Sequence, residues 1–498
     1  MADNSIVSNR SALKDFLGSV ATMSGDLSNV TAPPFVLAEN STVEIPQYWC
    51  DHAHLWVAPA AEENVERRAL MVLEGFLGSL RNQQYAGRSE KEGIKKPLNA
   101  FLGELFIGTW KEEDLGETKL VAEQVSHHPP ITACYLWNDK HGVRAEGFTE
   151  QEITFSGNVT IKQRGYAVTH IDKYNEDYLI PMPGIKVKGI LTGVPYPELQ
   201  GDYALVGSNG YTSRIKFGGK SFWGGGQKNG FEAELFHVDR PQETLYSIKG
   251  AWNGSWTVTD ARTNTQIDSF DVAAIPSTPM HVAPPQDQDP WESRRAWQDV
   301  IAALRRGDMK GTADAKSVLE DGQRQMRSDE EARGDKWKAL FFTNVSADPI
   351  FENLAKHDPS FTVDRAQGFW KVNRDAVASA KQPYHGALLP TNQRTQEPES
   401  AGTDHHGTDA AAAVAHDAPH APSPSAASPA RAIPAHRIAG AAEEPPANPH
   451  DRPASVENAR DTPPSRTGVG AAAVAEVGPT DAQVEAYLRN KYSTSSRA

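Results

Sequence analysis

Thr118-Lys119-Leu120-Val121-Ala122-Glu123-Gln124-Val125-Ser126-His127-His128-Pro129-Pro130-Ile131-Thr132-Ala133-Cys134-Tyr135-Leu136-Trp137 sets two strand-like runs on either side of one abrupt break. Residues 118–125 and 131–137 carry the β-branched, aromatic and apolar side chains that suit a pleated surface. Between them the paired prolines withhold two backbone donors and fix two φ angles. The ladder must stop there, with both histidines held at a strand end.

The same texture runs from Leu105 to Ala274 as short alternating stretches separated by Gly, Asn and Asp turns. Further examples are 143–155, 159–171, 185–191, 203–206, 213–217, 231–237 and 245–252. Hairpin-like spacing predicts an antiparallel meander, and a meander of about ten or more strands closes or curls. The expected class is α+β, mainly β: a large antiparallel near-closed β-barrel enclosing a ligand-sized tunnel, with flanking helices. No internal repeat of propeller length is present.

Helices are expected at 62–82, where Leu70, Val72, Leu73, Phe76, Leu77 and Leu80 form a wide apolar face, and at 291–305 and 313–333. Near the start, Ser11 to Thr22 places Leu13, Phe16, Leu17 and Val20 at i, i+3, i+4 and i+7, with Ser11 as the expected N-cap. Its opposite face holds Asp15, Gly18 and Ser19 with the single cation Lys14, weaker in charge than a basic membrane helix. From the residues alone, a helix packed permanently on the domain and a movable one are equally open.

Net charge is −14, and because residues 386–498 hold 9 basic and 13 acidic side chains, the remainder still carries −10. Nucleic acid is therefore an unsuitable partner. Two cysteines, Cys50 and Cys134, suit a reducing compartment and exclude a disulfide framework or a cysteine-rich zinc site. Met1–Arg10 is polar, unlike a secretory leader, and the apolar stretch Ala69–Leu80 is too short to span a bilayer. Beyond 386 the Ala/Pro/Ser/His-rich composition is too poor in large apolar groups to offset ordering entropy, so a disordered tail is expected, with a brief helix at Asp481–Tyr492. Its histidines read as solvated low-complexity sequence, not as ligands.

Lys316, Glu320 and Arg324, at i, i+4 and i+8, put cation, anion and cation on one helical side; alone, this reads as an exposed salt-bridge ladder. His127 and His128 are open to three readings. Metal binding lacks further ligands, and adjacent histidines on an extended chain diverge. A Ser126-His127 hydrolase pair lacks a G-x-S-x-G elbow. A structural turn is the leading reading of the residues alone.

The octapeptide Glu123 to Pro130 resembles, letter for letter, the fingerprint of the oxysterol-binding protein family. Lys95-Lys96-Pro97-Leu98-Asn99-Ala100-Phe101-Leu102-Gly103-Glu104 resembles a second family block, with Ala100 in place of its second proline. Glu292–Trp297 and Lys316–Arg324 match in order, so the resemblance covers residues 1 to about 375.

That resemblance implies a lipid-transfer protein, not an enzyme, with no cofactor and no metal. It implies a lid at 1–30 carrying Leu13, Phe16, Leu17 and Val20, a lipid-binding domain at 31–385, and the tail at 386–498. Lys96, Asn99, His127, His128, Lys316, Glu320 and Arg324 are implied to hold the head group of phosphatidylinositol 4-phosphate at the tunnel mouth. Trp49, Gln84, Tyr85 and Gln163 match sterol-contacting positions, whereas Thr149 stands where some sterol-binding relatives have Asn. A cytoplasmic location with transient, peripheral contact to membrane surfaces follows. No pleckstrin-homology module precedes the lid and no receptor-docking phenylalanine motif is evident, so protein partners are unknown. The rival expectations are a lipid-gated sensor that binds without transporting, and a carrier using phosphatidylserine as its co-ligand.

Overall fold

The structure is a computed structural model that describes residues 9–21, 27, 30, 32–156, 158–190, 194–218 and 228–394. Helix α1 (Arg10–Val20) begins one residue earlier than expected, because Asn9 and not Ser11 takes the N-cap position, without a side-chain cap bond. Thr22, the tail beyond 394 and the helix expected at 481–492 lie outside the described residues. Strand β1 (Leu37–Ser41) precedes a 3-10 segment, Thr42–Cys50, opened by the Ser41 N–H donating to Glu44 Oε1 at 3.0 Å.

Helix α2 (Ala53–Val57) leads to the long helix α3 (Val65–Tyr85). Asn64 Oδ1 accepts from the Arg67 N–H at 2.9 Å, which starts α3 three residues after the expected position. Ala86, at φ 48°, ends it in the left-handed region. Strand β2 (Lys96–Leu98) then pairs with β1 in parallel.

Thirteen antiparallel strands follow as one sheet: β3 (Leu105–Glu112), β4 (Gly116–His127), β5 (Pro130–Asn138), β6 (Val143–Phe155), β7 (Val159–Ile171), β8 (Glu176–Ile180), β9 (Gly184–Lys188), β10 (Tyr196–Gly207), β11 (Tyr211–Phe217), β12 (Gly230–His237), β13 (Tyr246–Ala251), β14 (Ser255–Asp260) and β15 (Thr265–Asp271). Between β7 and β10 the sheet position is shared, since β8 and β9 each pair with both neighbours. The hydrogen-bonded order ends at β3 and β15. After β15 the chain returns to β3, where Thr109 and His281 exchange backbone bonds at 2.9 and 2.7 Å and the Leu105 N–H donates to the Trp291 carbonyl.

The helix expected at 291–305 is two, α4 (Ser293–Ala296) and α5 (Gln298–Arg306), broken at Trp297. The buried Trp297 indole is held there, its N–H donating to Glu104 Oε2 at 3.0 Å. Helix α6 (Met309–Arg333) starts four residues before the expected 313 because Asp308 accepts from the Gly311 N–H. Then come β16 (Phe342–Val345), α7 (Pro349–Ala355), β17 (Phe369–Val372) and α8 (Arg374–Ser379). Packing continues to the end of the described chain: the Trp291 indole donates to the Leu388 carbonyl and Gln323 Nε2 to that of Pro390.

Both faces of β4 and β5 are buried. Leu120, Ala122, Cys134 and Leu136 pack toward Val43, Cys50 and Ala53 on one face. Val121, Ile131, Ala133 and Tyr135 belong to the core on the other, with residues of α5 to α7. This double burial explains the near-continuous apolar run of 131–137. Truncating a side chain such as Leu120 to Ala should cost about 2–5 kcal/mol. Helix α3 lays Leu70, Leu73, Leu77 and Leu80 on the strands from β10 onward. Among the described residues no helix is long and apolar enough to cross a membrane.

Candidate functional site

A cavity of about 260 Å³ lies between the sheet, the end of α3 and α1. Strand periodicity sets its walls: Thr149, Gln151 and Ile153 of β6 and Val159, Ile161 and Gln163 of β7 share one face by alternation. Gln84 and Tyr85 line it from the last turn of α3. Tyr85 is buried beside Trp252 at a ring distance of 6.4 Å, and burial pushes its phenol up to about 12. Gln163 donates to the Pro183 carbonyl at 2.6 Å. Gln84, 9 % exposed, makes no side-chain hydrogen bond among the described residues. Trp49 lines a smaller neighbouring cavity of about 70 Å³, which meets the main one at Gln83.

Helix α1 supplies the fourth wall. Leu13, Phe16, Leu17 and Val20 all face the cavity, as their spacing predicts. Leu13 and Leu17 pack with Phe35, while Val20 clusters with Leu27 and Val30, and Phe155 at the end of β6 touches both groups. The Leu27 N–H donates to the Ile153 carbonyl at 2.6 Å, which ties the segment behind the helix to the sheet.

Polar groups gather at one side. Lys96 and Asn99 line the cavity, and Lys96 Nζ donates to the Val30 carbonyl at 2.9 Å. His127 ends β4, with Nδ1 3.0 Å from the Ala100 carbonyl oxygen. A register irregularity between Gln124 and Ser126 precedes the turn, so the two imidazoles do not diverge as an extended chain would make them; their centroids are 4.6 Å apart, edge to face. Burial and the neighbouring His128 hold His127 below its ordinary value, with Arg327 acting the same way and the Ala100 bond and Glu320 opposing. The Lys316 ammonium, almost fully buried, is ion-paired with Glu320. Arg324 is exposed and ion-paired with Asp321.

The sequence profile of the oxysterol-binding protein family matches residues 16–302. This chain belongs to the oxysterol-binding protein family. It is 38% identical over 367 residues to protein kes1 of Schizosaccharomyces pombe, covering 72% of this chain and 93% of that one. It is 54% identical over 378 residues to the probable transporter efuK of Hormonema carpetanum, covering 75% of this chain but only 54% of that longer protein. Among solved structures, the Osh1 ORD domain in complex with ergosterol superposes with a TM-score of 0.54 at 20% identity, over 72% of this chain and 86% of that one. The Osh3 ORD of Saccharomyces cerevisiae in complex with PI(4)P gives 0.52 at 18%, over 74% and 89%. At these identities the likeness is one of fold.

Within this oxysterol-binding domain the structure adds residues that pattern reading passed over. Glu123, inside the fingerprint, is fully buried on the face away from the cavity, where its carboxylate accepts from the Leu340 and Phe341 N–H groups at 2.7 and 2.8 Å. These bonds fasten the segment that leads into β16 to the sheet. Only its place in a strand one step out of phase with Gln124 signalled this. Gln83 had no signal beyond adjacency to Gln84, and Arg327 lay three residues past the matching block.

Proposed function

We propose that the chain is a cytoplasmic lipid-transfer protein that binds sterol and phosphatidylinositol 4-phosphate in one tunnel and exchanges them between membranes it contacts transiently. The supporting observation is an apolar cavity walled by the four apolar residues of α1 and bordered on one side by Lys96 and Asn99, with His127 held at the carbonyl of Ala100, the residue after Asn99. In this reading the sheet acts as a near-closed barrel and residues 1–30 as its lid, on a lipid-binding domain that begins at 31 and runs past the expected end at 385, because Leu388 and Pro390 are hydrogen-bonded to Trp291 and Gln323.

A sterol in water exposes roughly 400 Å² of apolar surface, which at about 25 cal/mol/Å² costs on the order of 10 kcal/mol. An apolar tunnel replaces the bilayer almost evenly, so the aqueous barrier is bypassed without covalent chemistry. Gln84 offers the sterol hydroxyl an amide that has no side-chain hydrogen bond among the described residues. Tyr85 and Gln163 flank it, and Trp49 sits in the adjoining chamber. Phosphate groups favour several charge-assisted donors around them, which Lys96, Lys316, His127 and His128 supply, with Asn99 and Glu320 completing the polar rim. The exposed Arg324–Asp321 pair is the kind of contact worth about 0–1 kcal/mol, so that guanidinium is recruitable.

If both lipids use one cavity their binding is mutually exclusive, and a phosphoinositide gradient drives sterol the other way by mass action. The test is sterol transfer between liposomes by the full-length protein alone, using a fluorescent sterol. Acceleration by phosphatidylinositol 4-phosphate in the acceptor is expected. Binding of both lipids without transfer would instead identify a lipid-gated sensor, and acceleration by phosphatidylserine alone a different co-ligand.

A further inference from the structure

We infer that Arg327 is a phosphate-binding residue of the rim, held in the empty protein by Glu330 and released to a phosphate monoester. The inference rests on the phosphoinositide reading above and adds a residue to it.

An α-helix advances about 100° per residue, so from Lys316 the side chains of Glu320, Gln323 and Arg327 fall about 40°, −20° and 20° away. Arg324 falls about 80° away. The structure follows that arithmetic. Lys316 and Gln323 are both 9 % exposed, and Gln323 is tied inward to the Pro390 carbonyl, whereas the Arg324 side chain is 54 % exposed. The inward stripe therefore ends in Arg327.

The Arg327 guanidinium lies 5.0 Å from the Trp337 ring centroid. That ring stacks on Trp291 and closes against Gly103, where a Cβ would run into it. Gly103 lies in the turn closed by the Glu104 N–H on the Phe101 carbonyl, and Ala100, whose carbonyl meets His127 Nδ1, directly precedes that turn. Arg327 and His127 thus flank one four-residue segment, and the guanidinium charge is felt in the depressed basicity of His127.

Its hydrogen bonding is incomplete. Nη2 donates to Glu330 Oε1 at 3.0 Å, and Nε lies 2.9 Å from Oε2 without hydrogen-bond alignment. Nη1 is buried and finds no acceptor among the described residues. A guanidinium presents donors in a fixed fork, and a phosphate monoester brings three acceptor oxygens that can satisfy it bidentately. Glu330 is then a competitor for the same fork, and removing its charge should favour the phosphate.

The full-length protein is tested by extraction of phosphatidylinositol 4-phosphate and fluorescent sterol from the same liposomes, read as the ratio of the two. Arg327→Gln should lower the ratio about tenfold or more, and Glu330→Gln should raise it. A ratio unchanged in Arg327→Gln, an equal loss of both lipids, or a lowered ratio in Glu330→Gln overturns the assignment. If Arg327→Gln does not fold, the Glu330→Gln arm decides alone. Inorganic phosphate that competes with the wild type but not with Arg327→Gln supports the site with free phosphate as ligand; loss in Arg327→Gln without such competition supports the lipid head group. A wild-type chain that takes sterol but no phosphoinositide ends the exchange reading and this assignment together.

Discussion

Lys96 Nζ donates to the carbonyl of Val30 at 2.9 Å, so a cation that lines the cavity also holds the chain that follows helix α1. Val30 is buried with Leu27 and Val20, next to the Leu27–Ile153 backbone bond, so under the proposed function this contact is a latch between the rim and α1. Under the proposed function a phosphate would compete with Val30 for the ammonium. Lys96→Met keeps the stem and removes the charge, and should reduce phosphoinositide extraction about tenfold, as expected for one charge-assisted hydrogen bond. Amide exchange across Leu13–Val20 should also accelerate. Unchanged exchange with lost extraction would leave Lys96 a ligand but not a latch.

Gln84→Leu separates stability from binding. The amide is almost fully buried yet has no partner among the described residues, so an apolar side chain of similar size should leave the melting temperature unchanged or raised. Sterol affinity should fall roughly fivefold to tenfold, the worth of about one neutral hydrogen bond. Equal sterol retention by variant and wild type would place the hydroxyl elsewhere, with Gln83 at the junction of the two cavities as the next candidate.

Local sequence is enough for the strands and for helix α1, because alternation and helical spacing are properties of neighbours. The bounds expected for β6 and β7, 143–155 and 159–171, are those of the structure. What local reading could not supply is who faces whom across the fold. The family resemblance groups Trp49 with Gln84 and Tyr85, but the 3-10 segment carries it to the adjoining chamber. Spacing puts Lys316, Glu320 and Arg324 on one side of a helix, yet an i+8 step rotates the third residue outward, and the inward cation comes at i+11. The edge-to-face His127–His128 contact follows a register irregularity in β4, and composition announces neither.

Glu123 links the fingerprint to pH-dependent stability. Burial pushes its carboxyl from 4.5 up to about 7, against the two backbone donors that favour the charged form. Between these values the folded chain binds more protons at this site than the unfolded one, so its contribution to stability falls as pH rises. Buried histidines such as His385, whose basicity is lowered by burial, act in the opposite direction, so the whole-protein curve is a sum of opposed slopes. The difference between variants isolates one site. Glu123→Gln should make the slope of unfolding free energy against pH more positive by up to about 1.4 kcal/mol per pH unit between about 5 and 7. Urea unfolding at several pH values measures it, and parallel curves would show that Glu123 stays ionised throughout.

His127 carries the corresponding prediction for binding. In the empty structure burial, His128 and Arg327 favour the neutral imidazole, while the Ala100 bond and Glu320 pull the other way. A phosphate placed beside it raises the bound-state value above the free-state one, so binding takes up a proton between the two. Affinity should therefore rise as pH falls through the bound-state value and flatten once the free protein is itself protonated. The phosphate loses part of its own charge near pH ~6, which weakens binding on the acid side. Comparison with His127→Gln, which can keep the bond to Ala100, removes that ligand contribution. The ratio of wild-type to variant phosphoinositide affinity should fall as pH rises from about 6 to 8, by at most tenfold per unit for a single proton. A ratio independent of pH would mean that the imidazole stays neutral beside the phosphate and acts only as a hydrogen-bond donor.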